Sequence, residues 1–237
     1  DTNVRGTLLL LIWAWSAVAL CAPHGHKPPV VLAPGYAPLS FTPPEPGSYA
    51  LPAMGSAADG AVIDSDGNSA QLHDFLGGKP TVLSFIFTTC DDVNGCPLAT
   101  YVMRSVQDAL QADPSTADKA RLVSFSFDPV FDTPDVIDAY GSQFRAGDFD
   151  WQFLTTEGAT TLDPILSAYG QWVIRDYDEN GEYKGTMSHI LRVFLIDESR
   201  QIRNIYSTSF LHADTVANDV RSLLIEAAAQ PSADTGS

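Results

Sequence analysis

The sequence of 237 residues is poor in cysteine and poor in basic residues. Three cysteines are too few for the disulfide framework of a small secreted scaffold. Thirteen Lys and Arg stand beside 29 Asp and Glu, and the resulting net charge of −16 excludes a dominant basic surface for nucleic acid. The chain is 45% hydrophobic and 18% charged, which is the composition of a globular protein rather than a disordered one.

An uncharged apolar run extends from Gly6 to Ala22. At 17 residues it is at the short end of a membrane span, which needs roughly 17–25, and it suits the hydrophobic region of a signal peptide. A cleaved signal peptide, an uncleaved anchor over residues 1–22 and a lipid anchor at Cys21 all remain open. Each of them would send the protein across a membrane, into a periplasmic or cell-envelope compartment where disulfides are permitted.

Residues 23–56 contain nine of the 16 prolines, which predicts an extended, semi-rigid linker with a polyproline II bias. His24 and His26 can touch metal, but two histidines in a linker are a weak signal for a site. A globular domain is expected over residues 57–229. The small polar residues from 230 to 237 predict a frayed tail.

Strand and helix signals alternate through the domain. Continuous β-branched and aromatic runs predict buried strands, and apolar residues that recur at fours predict an amphipathic helix after the second cysteine. Two strand-like runs around ESRQ predict a hairpin. This order predicts an α/β fold, a three-layer sandwich with a mixed central sheet. The predicted strands include Thr81–Phe87, Arg121–Phe127, Trp151–Thr155, Arg192–Asp197 and Ile202–Ser207, and helices are predicted near 97–112, after a cap at Asp132 or Thr133, over 159–169 and around 216–224.

Cys90 and Cys96 are separated by five residues, in the stretch FTTCDDVNGCPLAT. Cys90 follows a predicted strand, and Cys96 precedes a helix whose first residue is expected to be Pro97. Sites collect at the carboxyl ends of strands, and a thiol at a helix N-terminus ionises more easily. Because a thiolate is both a metal ligand and a redox nucleophile, the pair can be a metal site, a redox pair or a disulfide that staples a loop.

Four blocks occur in an order that resembles the Sco/SenC family: LSFIFTTC…CPLAT, SFSFDPVFDTPDVIDAYGSQF, WQFLT and SHILRVFLIDESRQI. The resemblance covers roughly Leu51 to Ile225. It implies a thioredoxin-like fold with an extra hairpin, tethered to a membrane in the periplasm or the mitochondrial intermembrane space. It also implies copper binding by two cysteines and a distant histidine, which here would be Cys90, Cys96 and His189.

The resemblance further implies a metallochaperone that delivers copper during cytochrome c oxidase assembly. Its partners would be a copper-accepting oxidase subunit or another cuproenzyme, a copper donor and a thiol reductant. Two thiolates and one imidazole suit Cu(I) in a trigonal site and can also hold Cu(II). The alternative is a thiol–disulfide oxidoreductase in which Cys90 and Cys96 keep a partner's metal-binding cysteines reduced. A thiol peroxidase is a weaker alternative, because the sequence around Cys90 has no thiol-peroxidase signature. A permanent disulfide between the two cysteines is also weaker, because it would leave His189 without a role.

His189 is expected on a loop before the strand LRVFLID, from which it can swing toward the cysteines. Other residues have weaker claims to a role. Met187 is a soft potential ligand that is expected to pack in the core instead. Asp128 follows a strand end and can act as an acceptor behind the metal ligands. The acids at 91 and 92 can tune copper affinity or dock a basic partner, although such acids are commonly solvated.

The spacing of the cysteines departs from the family pattern. Sco/SenC proteins usually have three residues between the cysteines, whereas five separate them here. The longer loop puts the inherited copper geometry in doubt, and it excludes the tight CxxC arrangement of ordinary thioredoxins. A second departure is Phe131, which stands where the family usually has a basic residue.

Overall fold

The computed structural model describes residues 29–229. The apolar segment 1–22, His24, His26 and the tail 230–237 lie outside the described residues. The described chain forms nine strands, five α-helices and one short 3-10 helix, Pro34–Tyr36. The strands are β1 Ala61–Asp64, β2 Ser69–Gln71, β3 Thr81–Ile86, β4 Arg121–Ser126, β5 Trp151–Thr155, β6 Val173–Tyr177, β7 Tyr183–His189, β8 Arg192–Ile196 and β9 Ile202–Ser207, and the helices are α1 Leu72–Phe75, α2 Cys96–Gln111, α3 Pro134–Gly141, α4 Ala159–Ala168 and α5 Ala213–Ala229.

Seven of these strands form one mixed sheet, in the order β2-β1-β5-β4-β3-β8-β9. The three central strands β3, β4 and β5 pair in parallel. On either side of them, β8 and β1 pair in the antiparallel sense. All six residues of β3 are buried, as expected of a central strand covered on both faces. The mixed central sheet predicted from the sequence is confirmed, and so is the β8–β9 hairpin.

Helices cover both faces of the sheet, which gives the predicted three layers. Phe153 of β5 is in register with Ser84 of β3, through β4 between them. Because successive side chains of a strand point to opposite faces, Phe153 and Phe85 lie on opposite faces of the sheet. Phe153 contacts the ring of Tyr140 in α3. On the opposite face, Phe85 contacts the ring of Tyr169, directly after α4.

Helix α2 begins at the second cysteine and packs along its apolar stripe. Leu98, Val102, Val106 and Leu110 are all buried, as their spacing predicts. Pro97 is the second helical residue rather than the first, and its missing N–H costs nothing in the first turn. The helix therefore presents its N-terminal turn at the end of β3.

Part of the segment predicted as a linker packs against the domain. Residues 32–229 belong to one compact unit. Leu51 is buried, and its carbonyl oxygen accepts hydrogen bonds from Arg203. Tyr49 donates a hydrogen bond of 2.6 Å to the buried carboxylate of Asp219 in α5. Residues 32–56 of this proline-rich segment thus run along the surface of the folded unit. Among residues 29–229, none of the helices has the length and apolar character that a membrane crossing requires.

One local expectation from the sequence is wrong. His189 does not lie on a loop: it is the last residue of β7, which pairs with β6 in a separate two-stranded sheet and places His189 opposite Val173. Helix α3 has Thr133 at its N-cap position, which is one of the two predicted alternatives, although the Thr133 side chain makes no capping hydrogen bond. The fully buried carboxylate of Asp132, the other alternative, binds other groups.

Candidate metal centre

Two sulfurs and one imidazole converge at the carboxyl end of β3. One ligand atom from each of Cys90, Cys96 and His189 lies within 4.8 Å of the others. The Nε2 atom of His189 is 3.5 Å from the Sγ atom of Cys96. This is the only such group of Cys, His, Asp or Glu side chains found in the described part of the chain. The three residues that the family resemblance selects are therefore neighbours in space.

The sheet topology brings these residues together although His189 follows Cys96 by 93 positions. Ser84 of β3 is opposite Val193 of β8 in an antiparallel pair, so the start of β8 lies beside the end of β3. Cys90 follows that end of β3, and His189 precedes the start of β8. The side chain of His189 consequently approaches the cysteines from the end of β7, just before the strand that pairs with β3.

Aromatic rings hold the imidazole of His189. Its ring centroid lies 4.8 Å from that of Phe127 and 6.3 Å from that of Phe87. The Nδ1 atom is buried and has no hydrogen-bond partner among the described residues. Both phenylalanines end buried strands in the sequence, but nothing in their spacing assigns them to a histidine 60 or more positions away. The imidazole is therefore placed by packing, with Nε2 directed at sulfur.

The two thiols have opposite ionisation tendencies. The thiol of Cys96 forms a hydrogen bond that stabilises the Cys90 thiolate and lowers the pKa of Cys90 to about 5. Burial raises the pKa of Cys96 well above that of an ordinary thiol, since only 1% of the residue is exposed. The sequence predicts easier ionisation at the helix N-terminus, and for Cys96 the desolvation penalty outweighs that effect. The half-buried Cys90 is thus the thiolate of the pair.

The inter-cysteine loop, residues 91–95, is a closed turn built on Asp92. The carbonyl oxygen of Asp92 accepts from the amide of Gly95 at 2.8 Å, and its carboxylate accepts from the amide of Asn94 at 3.0 Å. The Sγ atom of Cys90 is 4.0 Å from the same carbonyl oxygen. The additional residues between the cysteines are thus accommodated in a turn, and the two sulfurs still converge.

The buried carboxylate of Asp132 holds the segment that leads into Cys90, a contact that its predicted role as a helix cap does not include. Asp132 is fully buried and accepts hydrogen bonds from the amide of Thr88 at 3.0 Å and from its hydroxyl. It also accepts from the hydroxyl of Ser126 at 2.5 Å. Thr88 is two residues before Cys90. Asp132 therefore ties the chain that leads into the first cysteine to the end of β4.

Asp128 directly follows Phe127, which packs against His189, and Met187 is two residues before His189. The carboxylate of Asp128 is nearly buried and lies 3.4 Å from Arg175 of β6. A role for Asp128 behind the metal ligands stays a prediction. Met187 is buried in the core, as expected for a packing residue. Phe131 is exposed at the surface.

A cavity of about 350 Å³ opens beside the cysteines. The hydroxyl of Tyr140, on its wall, is 2.8 Å from that of Thr100, and burial raises the pKa of Tyr140 to about 12. The cavity gives a second molecule an apolar approach to the half-buried Cys90. Its aromatic and apolar lining includes Phe87, Pro97, Tyr101, Tyr140 and Phe144.

The donor set fits a single soft metal ion. Bonds of about 2.3 Å to sulfur and about 2.0 Å to nitrogen, as known for zinc, put the ligand atoms of one ion roughly 4 Å apart. The observed spacing is close to that value. Two thiolates and an imidazole favour Cu(I), Cu(II) or Zn²⁺ over hard cations such as Mg²⁺ or Ca²⁺. The same two thiols can also form a disulfide if they approach further.

We expect the asymmetry of the thiols to be measurable in the reduced, metal-free protein. Alkylation of Cys90 by iodoacetamide should have its midpoint near the lowered pKa of about 5, because the thiolate persists down to that pH and is lost below it. Cys96 should stay unmodified in the folded protein. Mass spectrometry of the digested protein measures both rates. A Cys90 midpoint at the ordinary thiol value of about 8.5 would contradict the assignment.

The sequence of this chain is similar to that of known proteins. The SCO1/SenC family model matches residues 58–225, which is more than half of the chain. A SCO1 protein homolog of Bacillus subtilis (strain 168) is 32% identical over 92 residues, which are 39% of this chain and 45% of that protein. The matched stretch thus spans less than half of that relative.

Solved structures show the same fold. The crystal structure of Arabidopsis thaliana ScoI with copper bound superposes with a TM-score of 0.61 at 20% identity, covering 73% of this chain and 99% of that one. BsSco, a member of the Sco family of cytochrome c oxidase assembly proteins in which a disulfide switch was identified, gives 0.56 at 21% identity, covering 73% and 95%. The chain described here, with its thioredoxin-like sandwich, belongs to the SCO1/SenC family.

Proposed function

We propose that the protein binds copper through Cys90, Cys96 and His189 and delivers it to a cuproenzyme. The observation that carries this proposal is the convergence of two sulfurs and one imidazole nitrogen within 4.8 Å. Soft thiolates select Cu(I), and the imidazole is a good ligand for both oxidation states of copper. The copper-bound structure of a ScoI protein with the same fold supports the same metal here.

The proposed acceptor is a copper centre during assembly, in the first place that of cytochrome c oxidase. Membership of the family supports this acceptor, since BsSco belongs to a family of oxidase assembly proteins. The apolar cavity beside Cys90 offers a surface for an incoming protein, and the net charge of −16 favours a basic partner. We propose that the exchange occurs in the periplasm or cell envelope, a proposal that the apolar run at residues 6–22 supports.

Copper titration of the reduced protein tests the proposal. The reduced protein should take up one equivalent of Cu(II) and develop a thiolate charge-transfer band. His189→Ala should lose this band, because the imidazole nitrogen 3.5 Å from Cys96 is removed from the ligand set. The band is read by absorption spectroscopy, with the metal content measured on the same samples.

His73→Ala is the matched control. His73 belongs to the same domain but is bonded to the carbonyl oxygen of Ala57 and lies next to Asp59. This variant should keep the wild-type band and stoichiometry. If the wild-type protein takes up no copper but rapidly reduces the disulfides of partner proteins, the chaperone proposal fails.

That outcome would favour a second candidate function, a thiol–disulfide oxidoreductase. The observation that favours it is the pairing of a half-buried Cys90 of lowered pKa with a buried Cys96. A thiolate is the attacking species in thiol–disulfide exchange. In this role Cys90 and Cys96 would keep a partner's metal-binding cysteines reduced. The two activities are compatible, because only the reduced pair can hold copper.

A further inference from the structure

The N-terminal segment contacts the domain next to the inter-cysteine loop. Residues 33–37, the strap, contact α2 and the residues just before α5. Gly35 is buried, and a Cβ atom at this position would collide with the carbonyl oxygen of Leu211. The Nε2 atom of His212 is 2.8 Å from the carbonyl oxygen of Ala37. The strap is therefore held against the body of the domain.

The other side of the strap holds the inter-cysteine loop. The amide of Ala33 donates to the Oδ1 atom of Asn94 at 2.6 Å. The hydroxyl of Tyr36 donates to the carbonyl oxygen of Val93 at 2.5 Å. The ring of Tyr36 also lies against that of Tyr101 in α2, with 5.0 Å between the centroids. Two hydrogen bonds and one ring contact thus join the strap to the loop and to the helix that follows it.

The residues that the strap holds lie inside the turn that separates the two cysteines. On one side of the turn, Cys96 is fixed as the buried first residue of α2. On the other side, Cys90 is half buried, and its sulfur faces the carbonyl oxygen of Asp92. A shift of the turn therefore moves the sulfur of Cys90 relative to Cys96 and His189.

We propose that the strap positions the metal site: Tyr36 and Asn94 hold the inter-cysteine loop so that Cys90 stays within ligand distance of Cys96 and His189. The inference rests on the proposed copper function. Energetic coupling of this kind is reciprocal. A bound ion that fixes Cys90 also stabilises the docking of the strap, so copper loading should slow hydrogen exchange of the Ala33 amide.

Paired substitutions at the two ends of the N-terminal segment test the proposal. Tyr36→Phe and Asn94→Ala each remove one strap hydrogen bond and should speed copper release to a chelator about fivefold. Tyr49→Phe and Asn218→Ala are the matched controls. They remove the bond of Tyr49 to Asp219 and that of the Asn218 side chain to a carbonyl oxygen of the same segment, away from the cysteines.

Both controls should release copper at the wild-type rate. This should hold even if Tyr49→Phe, which loses a bond to a buried carboxylate, lowers the urea midpoint more than Tyr36→Phe does. This pattern separates positioning from general stability. If Tyr36→Phe and Tyr49→Phe change the release rate alike, or if neither changes it, the positioning role is overturned.

A metal-free measurement keeps the result independent of the copper proposal. The amide of Gly95 closes the turn by donating to Asp92, and its hydrogen exchange reports on the loop. Exchange at Gly95 should be about fivefold faster in Tyr36→Phe and unchanged in Tyr49→Phe. If the wild-type protein takes up no copper, the proposed function fails, while this comparison still decides whether the strap positions the loop. Equal exchange in both variants would overturn the positioning role.

Discussion

Replacement of Cys96 by alanine is expected to lower the affinity of the reduced protein for Cu(I) by more than about 100-fold. Loss of a group that merely orients a metal ligand costs about 10–100-fold, and Cys96 supplies a ligand atom itself. The substitution should also raise the pKa of Cys90, because the hydrogen bond from Cys96 is the main cause of its low value. Cys90 would then be the single sulfur ligand, and at neutral pH a proton would compete with copper for it.

Competition with a chromophoric Cu(I) chelator measures the affinity, and the pH dependence of Cys90 alkylation measures the second effect. Met187→Leu is the matched control, because it removes a buried sulfur two residues from His189 while keeping the apolar volume. The control should bind copper like the wild-type protein. Unchanged affinity in Cys96→Ala, or a comparable loss in Met187→Leu, would show that the ligand set is assigned incorrectly.

Replacement of Asp132 by alanine is expected to lower the free energy of unfolding by about 3 kcal/mol. The carboxylate is fully buried and accepts hydrogen bonds from the amide and hydroxyl of Thr88 and from the hydroxyl of Ser126. Alanine would leave these donors, of which the Ser126 hydroxyl is buried, without their acceptor. The chain leading into Cys90 would also lose its connection to β4.

Urea unfolding followed by circular dichroism measures this change. Asp135→Ala is the control, because Asp135 is an exposed acid in the first turn of α3, the helix that begins two residues after Asp132. Its loss should cost well under about 1 kcal/mol, through the helix dipole alone. If the two variants unfold at the same urea concentration, the buried network around Asp132 does not contribute as described.

Much of the fold could be predicted from the pattern of residues. The buried strand Thr81–Ile86 and the stripe of α2 that begins at Leu98 follow directly from continuous or periodic apolar residues. Strand β7 could not be predicted in this way. Its residues, YKGTMSH, are mostly polar and exposed, and they pair only with β6. His189 was therefore expected on a loop.

The ligand set could be predicted only through the family resemblance. The sequence gives no distance between His189 and a cysteine 93 positions earlier, since that distance depends on which strands become neighbours. The ionisation of the cysteines depends on burial in the same way: the helix N-terminus favours a Cys96 thiolate, but the folded core opposes it. Asp132 has an ordinary capping pattern in sequence, and only the packed structure reveals its buried partners.

The unequal exposure of the two thiols sets an order of events for any exchange with another protein. An incoming sulfur ligand meets Cys90, which is half buried, before it can reach Cys96, of which 1% is exposed. A copper ion handed over in this way would break its bond to Cys90 first and its bond to Cys96 last. A mixed disulfide with a client would form at Cys90 for the same reason. Metal transfer and thiol–disulfide exchange would therefore both begin at Cys90, and the two reactions would compete for that sulfur.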